Sequence, residues 1–287
     1  MIRALFLPDE MFAQKIVGLE IGKYTVSACK AVKKGQITTI EKIVTANIEA
    51  NPEATNEEQI IIALKQVLDQ VTGDHIRVSL ANNQVFFKEM TIPFLDAHQI
   101  KMILGYEIES SLPFALSEAI YDFIIIKQDK IKKESTILVV IAQKSYVNYI
   151  IDLIQQTKTK LKISTITIDL LGTLNLYHLL YAAKPDQYQI MLDLGKTCIT
   201  ISYLWQGEPW LVRNLPYGIN TLISKIMHDS HQSYQDVVEN LIRFGLEQPN
   251  HRVVQEVFGK LASDLIFTIN SFRLQLTANQ PIKHILV

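Results

Sequence analysis

The sequence predicts an α/β fold of two related halves, with a small α+β subdomain inserted in the first. Three observations predict it. A β-β-β-α-β order opens the chain, and its three-strand beginning returns near residue 189. Both cycles start on an apolar strand that ends in acid-apolar-Gly-Lys, once from Glu20 to Lys23 and once from Asp193 to Lys196. Between them lies a proline-bounded stretch with the order β-α-β-β-α, which suits an inserted α+β unit.

In the first cycle, the apolar run Lys15–Glu20 meets a Gly turn and then a strand of small residues, Tyr24–Ala31. Gln36–Ala46 is β-branched, and Gly35 between the two marks a hairpin turn. Asn56–Val71 carries Ile60, Leu64, Val67, Leu68 and Val71 on one helical face. Its N-cap is Thr55 or Asn56, and Glu57 and Glu58 lie in the first turn, where carboxylates favour the positive end of the helix dipole. His75–Leu80 reads as a strand.

The inserted stretch begins with the strand Gln84–Ile92, closed by Pro93. Leu95–Ser111 is helical, with Ile100, Ile103, Leu104 and Ile108 in period, and it stops before Pro113. Ala119–Lys127 is an Ile- and aromatic-rich strand, residues 128–135 form a charged hairpin tip, and Thr136–Ala142 pairs back. Ser145–Thr157 is an amphipathic helix.

The second cycle follows the strand Lys162–Ile168 and the helix Asp169–Ala183. Its meander is Ile190–Leu194, Thr197–Leu204 and Pro209–Leu215. Helices are expected at Ile219–His228, Gln232–Gly245 and Val253–Leu276, and a strand at Lys283–Val287. The duplicated turns have a physical logic. Backbone amides of a Gly turn can approach a phosphate, and a nearby carboxylate can hold a metal ion through water.

Composition narrows the function. The 287 residues hold 28 Lys+Arg against 29 Asp+Glu, so the chain lacks the basic excess of a dedicated nucleic-acid binder. Two cysteines, Cys29 and Cys198, make neither a disulfide framework nor a multi-cysteine metal site, and both read as small packed residues. The longest apolar stretch, Ile163–Ala183, is broken by Asp169, Asn175 and His178 and reads as buried in protein rather than in a bilayer. The lead MIRALFLPDEMF is cut by Pro8, Asp9 and Glu10 too early for a signal peptide and reads as a short amphipathic or loosely ordered end.

Other candidate sites are weaker. His228 and His231 have only Asp229 nearby, short of the three or four ligands a metal needs, and no metal site is expected. No nucleophile motif accompanies any histidine. Asp169 follows a strand and reads as the N-cap of its helix ahead of any catalytic part. The aromatics Phe86, Phe87, Phe94, Tyr106, Phe114 and Phe123 are core by default, or one wall of a peptide groove.

The whole chain resembles the PilM family of type IV pilus assembly proteins, which are actin-like and related to the division protein FtsA. The cytoplasmic domain of the type II secretion protein GspL is the near competitor. The resemblance is carried by residues 17–30 (VGLEIGKYTVSACK), 88–114 (KEMTIPFLDAHQIKMILGYEIESSLPF), 164–169, 190–200, 212–220, 234–245 and 264–272. Its most specific part is Pro93, the pair Tyr106–Glu107 and the end Pro113–Phe114.

The resemblance implies an actin-like ATPase fold, a duplicated ribonuclease H-like architecture. The first actin-like subdomain would comprise 15–80 and 163–188, the insertion 81–162 and the second actin-like subdomain 189–287, after a lead at 1–14. It places a nucleotide site at Glu20, Gly22, Lys23, Tyr24, Thr25, Asp193, Gly195, Lys196, Gly218 and Glu239. The sequence departs from the family there. Glu20 stands for Asp, Lys23 and Tyr24 for small hydroxyl residues, and Ser27 for Lys. In the second turn Lys196, Cys198 and Ile199 replace small residues, Gly218-Ile219 replaces Gly-Gly, and Ile242 with Arg243 replaces a Lys four residues after Val238. The family also continues past Val287 into a glycine-rich adenosine clamp, so the C-terminal part is expected to be incomplete here.

ATP with Mg is therefore expected to bind weakly or not at all, and a scaffold is expected ahead of an enzyme. The implied partner is the N-terminal cytoplasmic tail of a PilN-type bitopic membrane protein, contacted by Phe94, Tyr106, Glu107, Pro113, Phe114 and Phe123. The pilus motor ATPase, other platform proteins and further copies of the chain complete the partner set. The implied place is the cytoplasmic side of the inner membrane, with indirect membrane contact. The alternatives are a nucleotide-dependent assembly switch and a GspL-type domain.

Overall fold

The computed structural model describes residues 14–35, 37–48, 54–181, 188–245, 251–275 and 282–286. The lead at 1–13 and the ends expected at Ala183, Leu276 and Val287 lie outside the described residues. Two compact units form. One comprises residues 1–86, 105–121 and 141–181, the other 87–104, 122–140 and 182–287, so the inserted stretch divides between them.

The first unit is built on a five-stranded sheet. Its strands are β1 (Gln14–Ile21), β2 (Thr25–Lys34), β3 (Ile37–Asn47), β4 (His75–Leu80) and β8 (Lys162–Ile168), in the order β3-β2-β1-β4-β8. β1 runs antiparallel to β2 and parallel to β4, and β4 parallel to β8. Alternation along β1 buries Val17, Leu19 and Ile21, which leaves Gly18 and Glu20 on the other face. Helix α1 (Asn56–Leu68) buries Ile60, Leu64, Val67 and Leu68. Thr55 is its cap, in a reciprocal capping box with Glu58. The helix ends at Leu68, three residues before the expected Val71, where Asp69 closes it; Val71 is buried all the same.

The second unit repeats the plan. Its sheet joins β9 (Tyr188–Leu194), β10 (Ile199–Trp205), β11 (Glu208–Leu215) and β12 (Ile282–Leu286), in the order β11-β10-β9-β12. As in the first unit, the opening strand β9 has an antiparallel meander on one side and a parallel strand on the other. Tyr188, Ile190, Leu192, Ile201 and Tyr203 pack with Leu261 and Phe272 of the 25-residue helix α7 (His251–Gln275). Helices α5 (Ile219–Ser230) and α6 (Tyr234–Phe244) join α7 in a second cluster around Leu222, Ile223, Ile226, Val237, Val253 and Val254. α6 starts two residues later than expected because Ser233 caps it through Asp236.

A three-stranded sheet, in the order β5-β7-β6, comes from the inserted stretch: β5 (Val85–Ile92), β6 (Ala119–Asp129) and β7 (Glu134–Gln143). The strands β6 and β7 run further than expected and shorten the charged tip to residues 130–133, with Lys133 at φ 57°. Helices α2 (Ala97–Glu109), α3 (Lys144–Gln156) and α4 (Asp169–Leu180) complete the fold.

Candidate functional site

In the first unit the acid-apolar-Gly-Lys turn is the β1–β2 hairpin. Glu20 is exposed and in register with Ser27 on β2 and with Ser79 on β4. The Gly22 amide donates to the Thr25 carbonyl at 2.9 Å, and the Ile48 amide donates to the Tyr24 carbonyl at 2.8 Å. Lys23 and Tyr24 are exposed at the tip, the Lys23 ammonium 5.6 Å from the centre of the Tyr24 ring. A side chain at Gly22 would come within 3.1 Å of the Thr25 carbonyl oxygen.

Beside this turn, at the carboxyl ends of β4 and β8, lies a polar cluster that sequence reasoning missed. Ser79 donates its hydroxyl to the Asp169 carboxylate. Asn82, buried, accepts from the Leu170 amide at 2.9 Å. Burial, and then the Asp169 charge, push the Tyr146 phenol up to about 12. Asp169 is therefore not the N-cap of α4: Ile168 holds that position, without a side-chain cap, and Asp169 is the first helical residue. The partners Ser79 and Asn82 carry no sequence signal of their own, since both are ordinary polar residues far from Asp169 in the chain.

In the second unit the equivalent turn is clamped by a helix. The Ile219 amide donates to the Gly195 carbonyl at 3.1 Å, and the Asn220 amide to the Lys196 carbonyl at 2.9 Å. Gly218 lies against the same turn: a Cβ there would sit 2.3 Å from the Gly195 carbonyl oxygen. A Cβ on Gly195 would sit 2.7 Å from the Cys198 carbonyl oxygen. Tyr217 anchors this junction by donating its hydroxyl to Asp264 on α7. Asp193 is half-buried, and desolvation raises its carboxyl above the usual carboxylate range. Burial likewise raises the Cys198 thiol. Glu239 is exposed on α6.

The expected nucleotide residues thus fall in two groups, Glu20 to Thr25 in one unit and Asp193 to Glu239 in the other. Within the second group, Gly195, Lys196 and Gly218 meet directly. The expected partner-binding residues also divide. Tyr106 and Glu107 are exposed on the last turns of α2 in the first unit, with Tyr106 79% exposed. Pro113 is exposed in the loop beyond, and Phe114 is half-buried against Phe86, ring centres 5.9 Å apart. Gly105 sits under the Tyr121 hydroxyl, 2.7 Å from where a Cβ would be, which seats this end of α2 tightly. Phe94 and Phe123 are half-buried in the second unit, and the Phe94 carbonyl accepts from Ser135 at 2.7 Å.

Among the described residues no group of three or more His, Cys, Asp or Glu side chains could hold a metal ion. None of their helices is long and apolar enough to cross a membrane.

Residues 18–285 match the family model of the type IV pilus assembly protein PilM. No curated protein matches the sequence. Among solved structures, a PilM–PilN type IV pilus biogenesis complex is similar with a TM-score of 0.79 at 16% identity, over 98% of this chain and 82% of that one. The ethanolamine utilization protein EutJ from Carboxydothermus hydrogenoformans gives 0.48 at 10% identity, over 99% and 79%. The cytoplasmic domain of EpsL, an inner membrane component of the type II secretion system of Vibrio cholerae, gives 0.47 at 9% identity, over 76% and 77%.

Proposed function

This chain belongs to the PilM family of type IV pilus assembly proteins, with their actin-like fold, and on that premise we propose that it works as a binding scaffold and not as a nucleotide hydrolase. In this reading it holds the cytoplasmic tail of a PilN-type bitopic membrane protein at the inner face of the inner membrane. It links that platform to the cytoplasmic motor.

The observation that carries the reading is the internal use of the two glycine turns. A phosphate cradle needs backbone amides aimed at the ligand. Here the Gly22 amide is taken by Thr25, and the first amides of α5 are taken by the Gly195 and Lys196 carbonyls. Bulky Lys23 and Tyr24 occupy the tip of the first turn. These contacts and the bulky tip support a packing role for both turns over phosphate binding, and no chemical step is assigned to a nucleotide.

The similarity to a PilM–PilN complex supports the tail as partner. Extended-peptide capture relies on backbone pairing and on pockets for alternate side chains. Tyr106, Glu107, Pro113 and Phe114, with Phe94 and Phe123, are the side chains proposed to contact it. A pull-down of the full chain on the immobilised tail peptide tests this. Tyr106→Ala with Phe114→Ala should weaken capture at least about tenfold, while calorimetry with Mg-ATP gives no heat. Undiminished capture by the double variant removes the proposed contacts. A clear Mg-ATP isotherm favours the nucleotide-dependent switch instead.

A further inference from the structure

The outer strand of the first sheet carries an inference beyond tail binding. β3 is an edge strand of 11 residues whose only neighbour in the sheet, among the described residues, is β2. Long apolar edges pair with other strands unless something blocks them. This one presents Ile37, Ile40 and Ile43 at 71%, 61% and 67% exposure.

The register of β2 and β3 explains why two of these isoleucines share a face. Ala31 pairs with Ile40 and Lys30 with Lys42, so Glu41 is the extra residue of a bulge. The bulge puts Ile40 and Ile43, three apart, on the side of Ala31 and Cys29. Thr45 lies on the same side, its hydroxyl 3.0 Å from that of Ser27. Glu41 and Lys42 turn to the other side, where Glu41 pairs with Lys30 at 2.8 Å and Lys42 donates to the Gln70 carbonyl at 2.9 Å.

The strand reads ITTIEKIVTAN, and it is complementary to itself run backwards. In an antiparallel pair about a two-fold axis between residues 41 and 42, Glu41 stands opposite the second copy's Lys42, and Lys42 opposite its Glu41. Ile40 meets the second copy's Ile43, and Thr38 meets its Thr45. A bulge normally spoils an edge for a regular strand. An identical bulge directly opposite restores the register, so the edge rejects ordinary strands and accepts its own copy.

We propose that the protein dimerises through β3, two copies joining their sheets antiparallel about a two-fold axis between Glu41 and Lys42. A single-strand seam is smaller than a standard interface, so dissociation in the micromolar range is expected, about 1–100 μM.

Sedimentation velocity of the full chain across that range reads the dimer. By symmetry, each substitution acts at two contacts. Lys42→Glu sets like charges opposite each other and should weaken dimerisation at least about tenfold, as should Glu41→Lys. The exchange Glu41→Lys with Lys42→Glu restores opposite charges and should return affinity to within about threefold of the starting protein. Cysteine pairing reads the register without disturbing the charges. With Cys29 and Cys198 replaced by Ser, oxidation of Ile40→Cys mixed with Ile43→Cys should give a disulfide-linked heterodimer, and neither variant alone should link efficiently. A protein that stays monomeric throughout, a double exchange that fails to restore the dimer, or equal linking by Ile40→Cys alone overturns the proposal.

Discussion

The two glycine turns share one sequence pattern but are held in opposite ways. The first is an exposed hairpin tip, tied to the end of β3 by the bond from the Ile48 amide to the Tyr24 carbonyl. Its glycine bonds within the turn, and only its own Thr25 carbonyl crowds it, at 3.1 Å. The second is wedged under a helix that starts two strands later in the chain, with Gly218 packed on Gly195 and two α5 amides on its carbonyls. Duplication preserved the acid, the glycine and the lysine in both turns. It did not preserve what surrounds them. A shared motif therefore reports a shared backbone path and leaves open whether its polar groups face a ligand or the protein itself.

Glycine substitutions separate the two turns by size of effect. Gly218→Ala comes first, because a Cβ 2.3 Å from a backbone oxygen cannot be relieved by rotating a side chain. The α5 N-terminus must lift off the turn, at a cost of about 3 kcal/mol or more. In a thermal melt this should lower the midpoint by about 6–12 °C. Gly195→Ala, at 2.7 Å from the Cys198 carbonyl oxygen, should cost about 2 kcal/mol. Gly22→Ala should cost about 1 kcal/mol or less, since its single close neighbour is at 3.1 Å in an exposed tip. If Gly22→Ala proved as damaging as Gly218→Ala, the contrast between an exposed and a helix-clamped turn would be lost.

That contrast could not be read from the sequence, although the duplication could. The duplication rests on local signals: the apolar runs of β1 and β9, each closed by acid-apolar-Gly-Lys, and glycines where the chain reverses. The helix cap was legible to within one residue, Thr55 or Asn56, and the capping box with Glu58 selects Thr55. The clamp is a contact between Gly218 and Gly195, and the Asp169 partnership is one with Ser79, 90 residues away. Neither has a periodicity or a spacing that announces it. The β3 bulge belongs here too. Ile40 and Ile43 lie on opposite faces of a regular strand, and only the observed register puts them on one.

The two acids that precede the turns give the smallest and sharpest test. Asp193 is half-buried, and its carboxyl is raised by desolvation, whereas Glu20 is exposed. A raised carboxyl binds its proton more tightly in the folded chain than in the unfolded one. As pH rises from the ordinary aspartate range through the raised value, the folded state must hold a charge it disfavours, and stability is lost. At neutral pH that loss is complete, so Asp193→Asn should raise the melting midpoint there by about 1–2 °C, a modest figure because the group is only partly shielded from water. The gain should vanish in acid, below both values, where the native carboxyl is already neutral. A midpoint that falls at neutral pH with Asp193→Asn would mean that the Asp193 charge has a stabilising partner in the folded chain, and the second turn would regain its claim to a bound cation.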